Sequence, residues 1–192
     1  MDIKEAGLCE GISEVIVTTQ SASGVPNAAP IGILSREDNY FVSLYRGSQT
    51  ISNVLEAKKL AANVTEDAVL FVNAAFEILS SDYYSLFHGF HVLKEANSWI
   101  LFECECVEER VESFLFQIVP IAVEINMMRV RAINRGLNAV IEAAVLATRY
   151  DIIETESEKE ELTSMIARYA DIVDKCGGQR EKEAMRSLTD KI

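Results

Sequence analysis

Positive charge is scarce in this sequence: 18 lysines and arginines stand against 30 aspartates and glutamates, a net of −12 over 192 residues. Proteins that hold nucleic acid through its phosphates, or that dock on anionic membrane surfaces, need the opposite balance, so neither is an expected partner. Long apolar runs are also missing, and no stretch approaches the ~20 residues of a membrane-spanning helix. The start, Met1-Asp2-Ile3-Lys4-Glu5, has no basic segment leading into an apolar one, so no signal peptide is visible. The nine glycines never spell G-x-G-x-x-G or a Walker loop, which removes the Rossmann and P-loop nucleotide sites. There is no G-x-S-x-G elbow. His88 and His91 are the only histidines, and neither stands beside a nucleophile, so hydrolytic catalysis is disfavoured. The four cysteines, Cys9, Cys104, Cys106 and Cys176, are most simply reduced thiols. The expectation is an acidic, soluble, cytoplasmic protein, and none of these absences names a chemistry.

What is present begins as a sheet. Apolar residues at 49% and charged residues at 25% are an ordinary globular balance. Glu14–Gln20 is rich in β-branched residues, and Ser21-Ala22-Ser23-Gly24 is a turn signal. Val25–Leu34 is a second extended run whose Pro26 and Pro30 exclude a helix and place it at a sheet edge or bulge. Tyr40–Tyr45 is a third strand. The period then changes: Ile51, Val54 and Leu55 recur at helical spacing behind Thr50, a candidate N-cap. Leu60–Val64 returns to strand. The apolar block behind Asp67, Val69-Leu70-Phe71-Val72, suits either a capped helix or a buried strand. Residues 77–97 carry little pattern, with Ser80–Tyr84 reading as a loop. Trp99–Val107 alternates, and Phe114–Val130 is a long strand-like run interrupted by Pro120.

From Arg135 the sequence turns helical, with segments at Arg135–Tyr150, Glu156–Lys175 and Gln179–Lys191. The middle one carries an apolar stripe of Leu162, Met165, Ile166, Tyr169, Ile172 and Val173. A capping box at Ser157-x-x-Glu160 and a stop at Gly177-Gly178 bound it. Strands first and helices last argue α+β: an antiparallel barrel over residues 1–132, with inserted helices, and a C-terminal helical subdomain over residues 133–192.

Cys104 and Cys106 share one face of a strand, ~6.6 Å apart by strand rise. With Ile100 and Phe102 beside them they read as core thiols, because a two-thiolate metal site would need further ligands. His88 and His91, split by Gly89, read as the polar tips of an aromatic loop. No metal site is expected. Tyr45-Arg46-Gly47-Ser48-Gln49-Thr50 is more informative, since it joins a strand to a helix. It offers a guanidinium, two hydroxyls, a glycine and the unpaired N–H groups of a first helical turn, with Asn53 facing the same end. Such a constellation is a competent phosphate cradle. Val25–Thr65 carries four basic and three acidic side chains in an otherwise strongly acidic chain, so an anion would be drawn here. The same residues are equally an ordinary strand-to-helix connection with a threonine cap.

Gly24-Val25-Pro26-Asn27-Ala28-Ala29-Pro30-Ile31-Gly32, the Tyr45–Asn53 cradle and Asn63-Val64-Thr65-Glu66-Asp67, taken in that order, resemble the flavin-binding half of the FMN-binding split barrels. That superfamily includes the flavin reductases and pyridoxamine-phosphate oxidases. The whole chain is more narrowly similar to an archaeal family of FMN-binding proteins of undefined function with an appended helical subdomain. The narrow match is strongest at Asn134-Arg135-Gly136-Leu137-Asn138, running on to Thr148-Arg149.

The resemblance implies FMN as cofactor, with the isoalloxazine along Ala29, Pro30, Ile31 and Gly32. It implies phosphate ligands among Arg46, Ser48, Thr50 and Asn53, with Tyr45 a further cofactor-binding residue and Asn63 a weaker carry-over. It also implies a homodimer with the flavin near the two-fold interface. One departure is visible: a basic residue frequent in the oxidases just after the phosphate-binding serine is absent, and Ile51 stands near that place. The implied function is flavin-dependent oxidoreduction through the flavin N5, without a dedicated catalytic side chain. The alternative is a flavin carrier, store or sensor without turnover. Tyr83, Tyr84, Phe87 and His88 are candidates for an aromatic lid. Arg135, Glu142 and Arg149, at successive steps of seven, form one drifting helical stripe expected to pack near the flavin.

Overall fold

The computed structural model of the chain describes residues 3–128 and 132–192. These group into two compact units: residues 3–65 with 78–128, and residues 66–77 with 132–192.

The first unit is a closed antiparallel barrel. Its strands are β1 (Gly11–Gln20), β2 (Pro26–Arg36), β3 (Asn39–Tyr45), β4 (Lys59–Val64), β7 (Ser98–Glu109) and β8 (Ser113–Ile125). They close in the order β1-β2-β3-β8-β7-β4. β1 and β2 pair from Gly11↔Ser35 to Gln20↔Pro26, and Gly24, at φ 80°, closes the turn between them with its N–H on the Ser21 carbonyl. β3 pairs with β2 only over Ile33–Arg36. Pro26 and Pro30 therefore lie where β2 has a partner on one side only, and a missing N–H is tolerated there.

Inward-facing Val15, Val17, Ile33, Val42, Leu44, Leu60, Ile100, Phe102, Phe116 and Ile118 build the core. Helix α1 (Gln49–Ala57) adds Ile51 and Val54 to it. At Pro120 the β8 strand does not break. Leu101 pairs with Ala122 and Phe102 with Pro120, so Ile121 is an extra residue, and this bulge absorbs the proline.

Residues 77–97, opaque as sequence, hold a 3-10 turn at Ser81–Tyr83 and a hairpin of β5 (Tyr84–Phe87) and β6 (Phe90–Leu93). Tyr84 thus opens a strand instead of ending a loop. The two-residue connection, His88 at φ 49° and Gly89 at φ 76°, has both residues left-handed, as a type I′ turn requires. Phe87, Phe90 and Val92 pack on Ala61, Leu101, Ala122 and Trp99 of the barrel's outer face. That cover explains why Val15–Thr19 is buried on both faces of β1.

The second unit is helical: α2 (Ala68–Phe76), α3 (Arg135–Ala147), α4 (Glu156–Cys176) and α5 (Gln179–Thr189). The ambiguous block behind Asp67 is α2. The Asp67 carboxylate accepts from the N–H groups of Val69 and Leu70, and Leu70, Phe71, Val72 and Ala74 are all buried. A helix apolar on every side suits an interior, and α2 packs on α3 and α5. Ion pairs from Arg180 to Asp67 and from Lys191 to Glu77 fasten it at both ends.

The α4 cap is two residues earlier than the sequence suggested. Thr155 Oγ1 accepts from Glu158 N at 3.3 Å and donates to its carboxylate at 2.6 Å, so the N-cap is Thr155 and not Ser157, without the reciprocal backbone bond of a capping box. Leu162, Ile166 and Val173 of the stripe are buried, whereas Met165 is exposed. α3 ends at Ala147, and Tyr150–Ile152 is a separate 3-10 turn. Among the described residues no helix is long and apolar enough to cross a membrane.

Candidate functional site

β2 splits into two halves. Residues 33–35 are bonded on both sides, Arg36 to β3 alone, and Pro26–Gly32 to β1 alone. In an antiparallel ladder alternate residues turn their N–H and C=O away from the partner, so part of the backbone of Pro26–Gly32 faces an open edge. Ala29, Pro30, Ile31 and Gly32 are all half-buried, and Ile31 packs against the core. A Cβ on Gly32 would sit 2.8 Å from Ile12 Cγ2 and 2.9 Å from Glu14 Oε1, so these two exposed side chains would have to turn aside.

Beside this edge lies the start of α1. Its N-cap is Ser48, whose Oγ accepts from Ile51 N at 3.3 Å and donates to the Tyr45 carbonyl at 3.1 Å. Thr50, expected as the cap, is instead buried in the first turn, and its Oγ1 accepts from Asn27 Nδ2 at 3.1 Å. Asn53, also buried, donates from Nδ2 to Thr19 Oγ1 at 3.0 Å and accepts from Gln49 Nε2 at 2.8 Å. Thr50 and Asn53 thus tie the helix start to β2 and β1. Ile51 points into the core, which is the physical reason no basic side chain can occupy that place. The N–H groups of Gln49 and Thr50 have no partner among the described residues.

Tyr45 is exposed, and Arg46 turns to the β7–β8 connection. Arg46 Nε donates to the carbonyls of Val111 at 2.9 Å and Arg110 at 3.3 Å. Its Nη2 meets the Arg110 carbonyl at 3.1 Å and Glu109 Oε1 at 2.5 Å, and the guanidinium lies 4.2 Å over the Phe114 ring. Nothing in local sequence could have flagged Glu109 or Phe114, more than sixty residues away, or Asn27 as the brace of Thr50.

Asn63 is not brought to this surface. It is fully buried; Nδ2 donates to the Ile16 carbonyl at 2.8 Å and to Thr18 Oγ1 at 3.0 Å, and Oδ1 accepts from Leu93 N at 2.7 Å. It pins β4, β1 and β6 together. Of the proposed lid, Tyr84 and Phe87 are buried, Tyr84 edge-on to His91 and Phe87 against Trp99. Only Tyr83 and His88 present rings at the surface. His91 is held through Nδ1 to Gln20 Oε1 at 2.9 Å. Burial pushes the Tyr84 phenol up to about 12, so it is a neutral packing group.

The two strand cysteines part company. Cys104 is buried, and burial with Glu103 nearby pushes its thiol up to about 12. Cys106 is not core: the ladder shifts register just past it, and it is exposed beside an open cleft of about 460 Å³ lined by Val54, Leu55, Lys58 and Phe116. Among the described residues no three histidine, cysteine or acidic side chains could share a metal ion. Arg135, Glu142 and Arg149 are all exposed.

Comparison with known proteins sets this geometry in context. A crystal structure of an FMN-bound protein from Methanosarcina mazei is similar over 100% of both chains, at 38% identity and a TM-score of 0.91. An uncharacterized protein of Methanocaldococcus jannaschii is 26% identical over 195 residues, covering 90% of this chain and 93% of its own. The flavin reductase of styrene monooxygenase from Pseudomonas putida S12 matches 66% of this chain and 89% of its own, at 14% identity and a TM-score of 0.52, a likeness of fold alone. The family model described as "Protein of unknown function (DUF447) N-terminal domain" matches residues 13–127, and its companion, "Protein of unknown function (DUF447)", matches residues 134–190. With both models matched in order, the chain belongs to the DUF447 family.

Proposed function

We propose that this chain binds FMN, that it works as a cytoplasmic homodimer with the flavin near the two-fold interface, and that it serves flavin-dependent oxidoreduction. The observation that carries this reading is its full-length likeness, at 38% identity, to a protein solved with FMN bound. The residues fit the group. The open edge of Pro26–Gly32 offers backbone donors and acceptors to the polar rim of a flat heterocycle. The N–H groups of Gln49 and Thr50, the helix dipole and Arg46 offer a phosphate its charge-assisted hydrogen bonds. Ser48, Thr50 and Asn53 hold that helix start in place, Tyr45 leads into it, and Asn63 keeps β1 and β4 in register behind it.

When bound, the flavin supplies hydride transfer at N5; the protein binds, orients and excludes water. That division of labour suits a chain in which no nucleophile and base are paired at the site. The dimer reading is supported by an apolar row across the outer barrel face. Ile12 faces Leu34, and Leu34 faces Phe41, with Ile12 70% and Leu34 39% exposed. The second reading, a flavin carrier, store or sensor without turnover, is favoured by one observation: the Arg46 guanidinium already has an internal carboxylate partner.

An absorbance spectrum of the protein purified without added cofactor, with mass analysis of what heat releases, tests the binding. Released FMN is the expected result, and a colourless protein that takes up no added FMN rejects the reading. Bleaching on anaerobic addition of NADH or NADPH separates turnover from storage.

A further inference from the structure

Arg46 is the guanidinium at the proposed phosphate cradle, and its donors can be followed one by one. Nε is engaged by the carbonyls of Val111 and Arg110, and Nη2 by the Arg110 carbonyl and the Glu109 carboxylate. The plane stacks on Phe114. Nη1 has no partner among the described residues. One edge of the fork is thus held and the other is presented.

Which of these contacts position the side chain, and which only change its charge? Two backbone carbonyls at 2.9–3.3 Å and an aromatic face at 4.2 Å already fix the guanidinium without Glu109. Glu109 adds an opposite charge. The pair is open to water, with side-chain exposures of 42% for Arg46 and 65% for Glu109. An exposed ion pair adds little to folding; its larger effect is on the field met by an incoming anion. The neighbouring Arg110 does not restore that field, because it is paired with Glu108 at 2.7 Å, and Glu112 adds a third carboxylate to the same turn. A phosphate approaching Arg46 therefore meets a neutralised cation.

We propose that Glu109 is the resident counter-ion of Arg46 and that it sets the site to hold a phosphorylated flavin exchangeably instead of permanently. This rests on the FMN-binding reading above and deepens it: the mononucleotide becomes a ligand that enters and leaves. Its phosphate competes with a carboxylate for one guanidinium.

Glu109→Gln tests it, since the amide oxygen keeps an acceptor for Nη2 and only the charge is lost. FMN and riboflavin are titrated into the flavin-stripped full-length protein at low and high salt. A unit charge several ångströms from a phosphate, in water, is worth about three- to tenfold in affinity. FMN is thus expected to bind about three- to tenfold tighter to the variant and to dissociate correspondingly more slowly. Riboflavin should be unchanged, and the gain should shrink at high salt. An FMN affinity that is unchanged or weaker in Glu109→Gln overturns the proposal. Arg46→Ala is the control: it should bring FMN down toward riboflavin. If it leaves FMN affinity intact, Arg46 is no phosphate ligand, and the counter-ion role falls while flavin binding stands. If neither flavin binds the unaltered protein, the functional reading itself fails, and this inference with it.

Discussion

Cys104 and Tyr84 are the buried groups whose ionisation the fold most resists, and they give the protein an alkaline limit. Both pKa values rise to about 12, from ordinary values of 9.0 and 10.0, because burial penalises the charged form. Between pH 9 and 12 the unfolded chain has released the Cys104 proton while the folded one keeps it. Folding stability must therefore fall as pH rises through that range, with Tyr84 adding to the loss above pH 10. Chemical denaturation at pH 7, 9 and 10.5 should show this decline, and Cys104→Ala should flatten its first part. The same burial predicts thiol reactivity: Cys9, Cys106 and Cys176 are exposed and should react with a disulfide reagent in the native state, with Cys104 following only on unfolding. Asn63 is the other residue with an outsized structural role. Asn63→Ala would leave the Leu93 N–H buried without its acceptor and unpin β1, at a cost of about 2–3 kcal/mol in a urea titration.

Elements in this protein are bounded by caps, and the caps show how far a sequence can be read. At Asp67 the sequence allows two readings, cap of a helix or start of a buried strand, and the structure makes it the cap of α2. Ser48 and Thr155 were each displaced by two residues, since several hydroxyls are in line and only backbone geometry selects one. The Asn134-Arg135-Gly136 segment, singled out by resemblance, has a packing reason that no local pattern contains. Asn134 caps α3 through Oδ1 on Gly136 N at 2.9 Å, and its amide reaches Glu181 Oε1 at 3.1 Å. Glu181 Oε2 in turn takes the Gly178 N–H at 2.7 Å, opening α5. Gly136 lies against the α4 terminus, where an added Cβ would fall 2.4 Å from the Gly177 Cα. Gly136→Ala should therefore force the α3 and α4 ends apart. A loss of about 2 kcal/mol or more, read as a lower thermal midpoint, is expected from such overpacking against backbone.

At the scale of the whole molecule the question is assembly. The proposed dimer would use the Ile12–Leu34–Phe41 row, where apolar side chains stand opposite one another on a barrel face with Ile12 and Leu34 exposed. On the proposed dimer, Leu34→Glu should leave the barrel folded, as its side chain points outward, and shift the protein to monomer in light scattering. If the flavin lies near the two-fold, flavin content should fall with it. A dimeric, fully loaded Leu34→Glu protein would place the interface elsewhere.

The amino-acid sequence alone determined the fold class, the succession of barrel strands before C-terminal helices and the sign of the net charge, but not α2 or the β5–β6 hairpin. These follow from short-range causes: β-branched runs, turn residues, helical spacing and composition. It also marked the segment from Tyr45 to Asn53 as a strand-to-helix junction, open between an anion cradle and an ordinary capped connection. Tertiary structure decided what that junction's residues do. Thr50 and Asn53 became braces to β2 and β1, Asn63 a buried pin, and Arg46 a partner of Glu109. It also joined α2 to helices far along the chain and split Cys104 from Cys106. Each of these outcomes depends on a partner dozens of residues away. Barrel closure and helix packing choose such partners by shape and hydrogen-bond satisfaction, and neither is written in local periodicity.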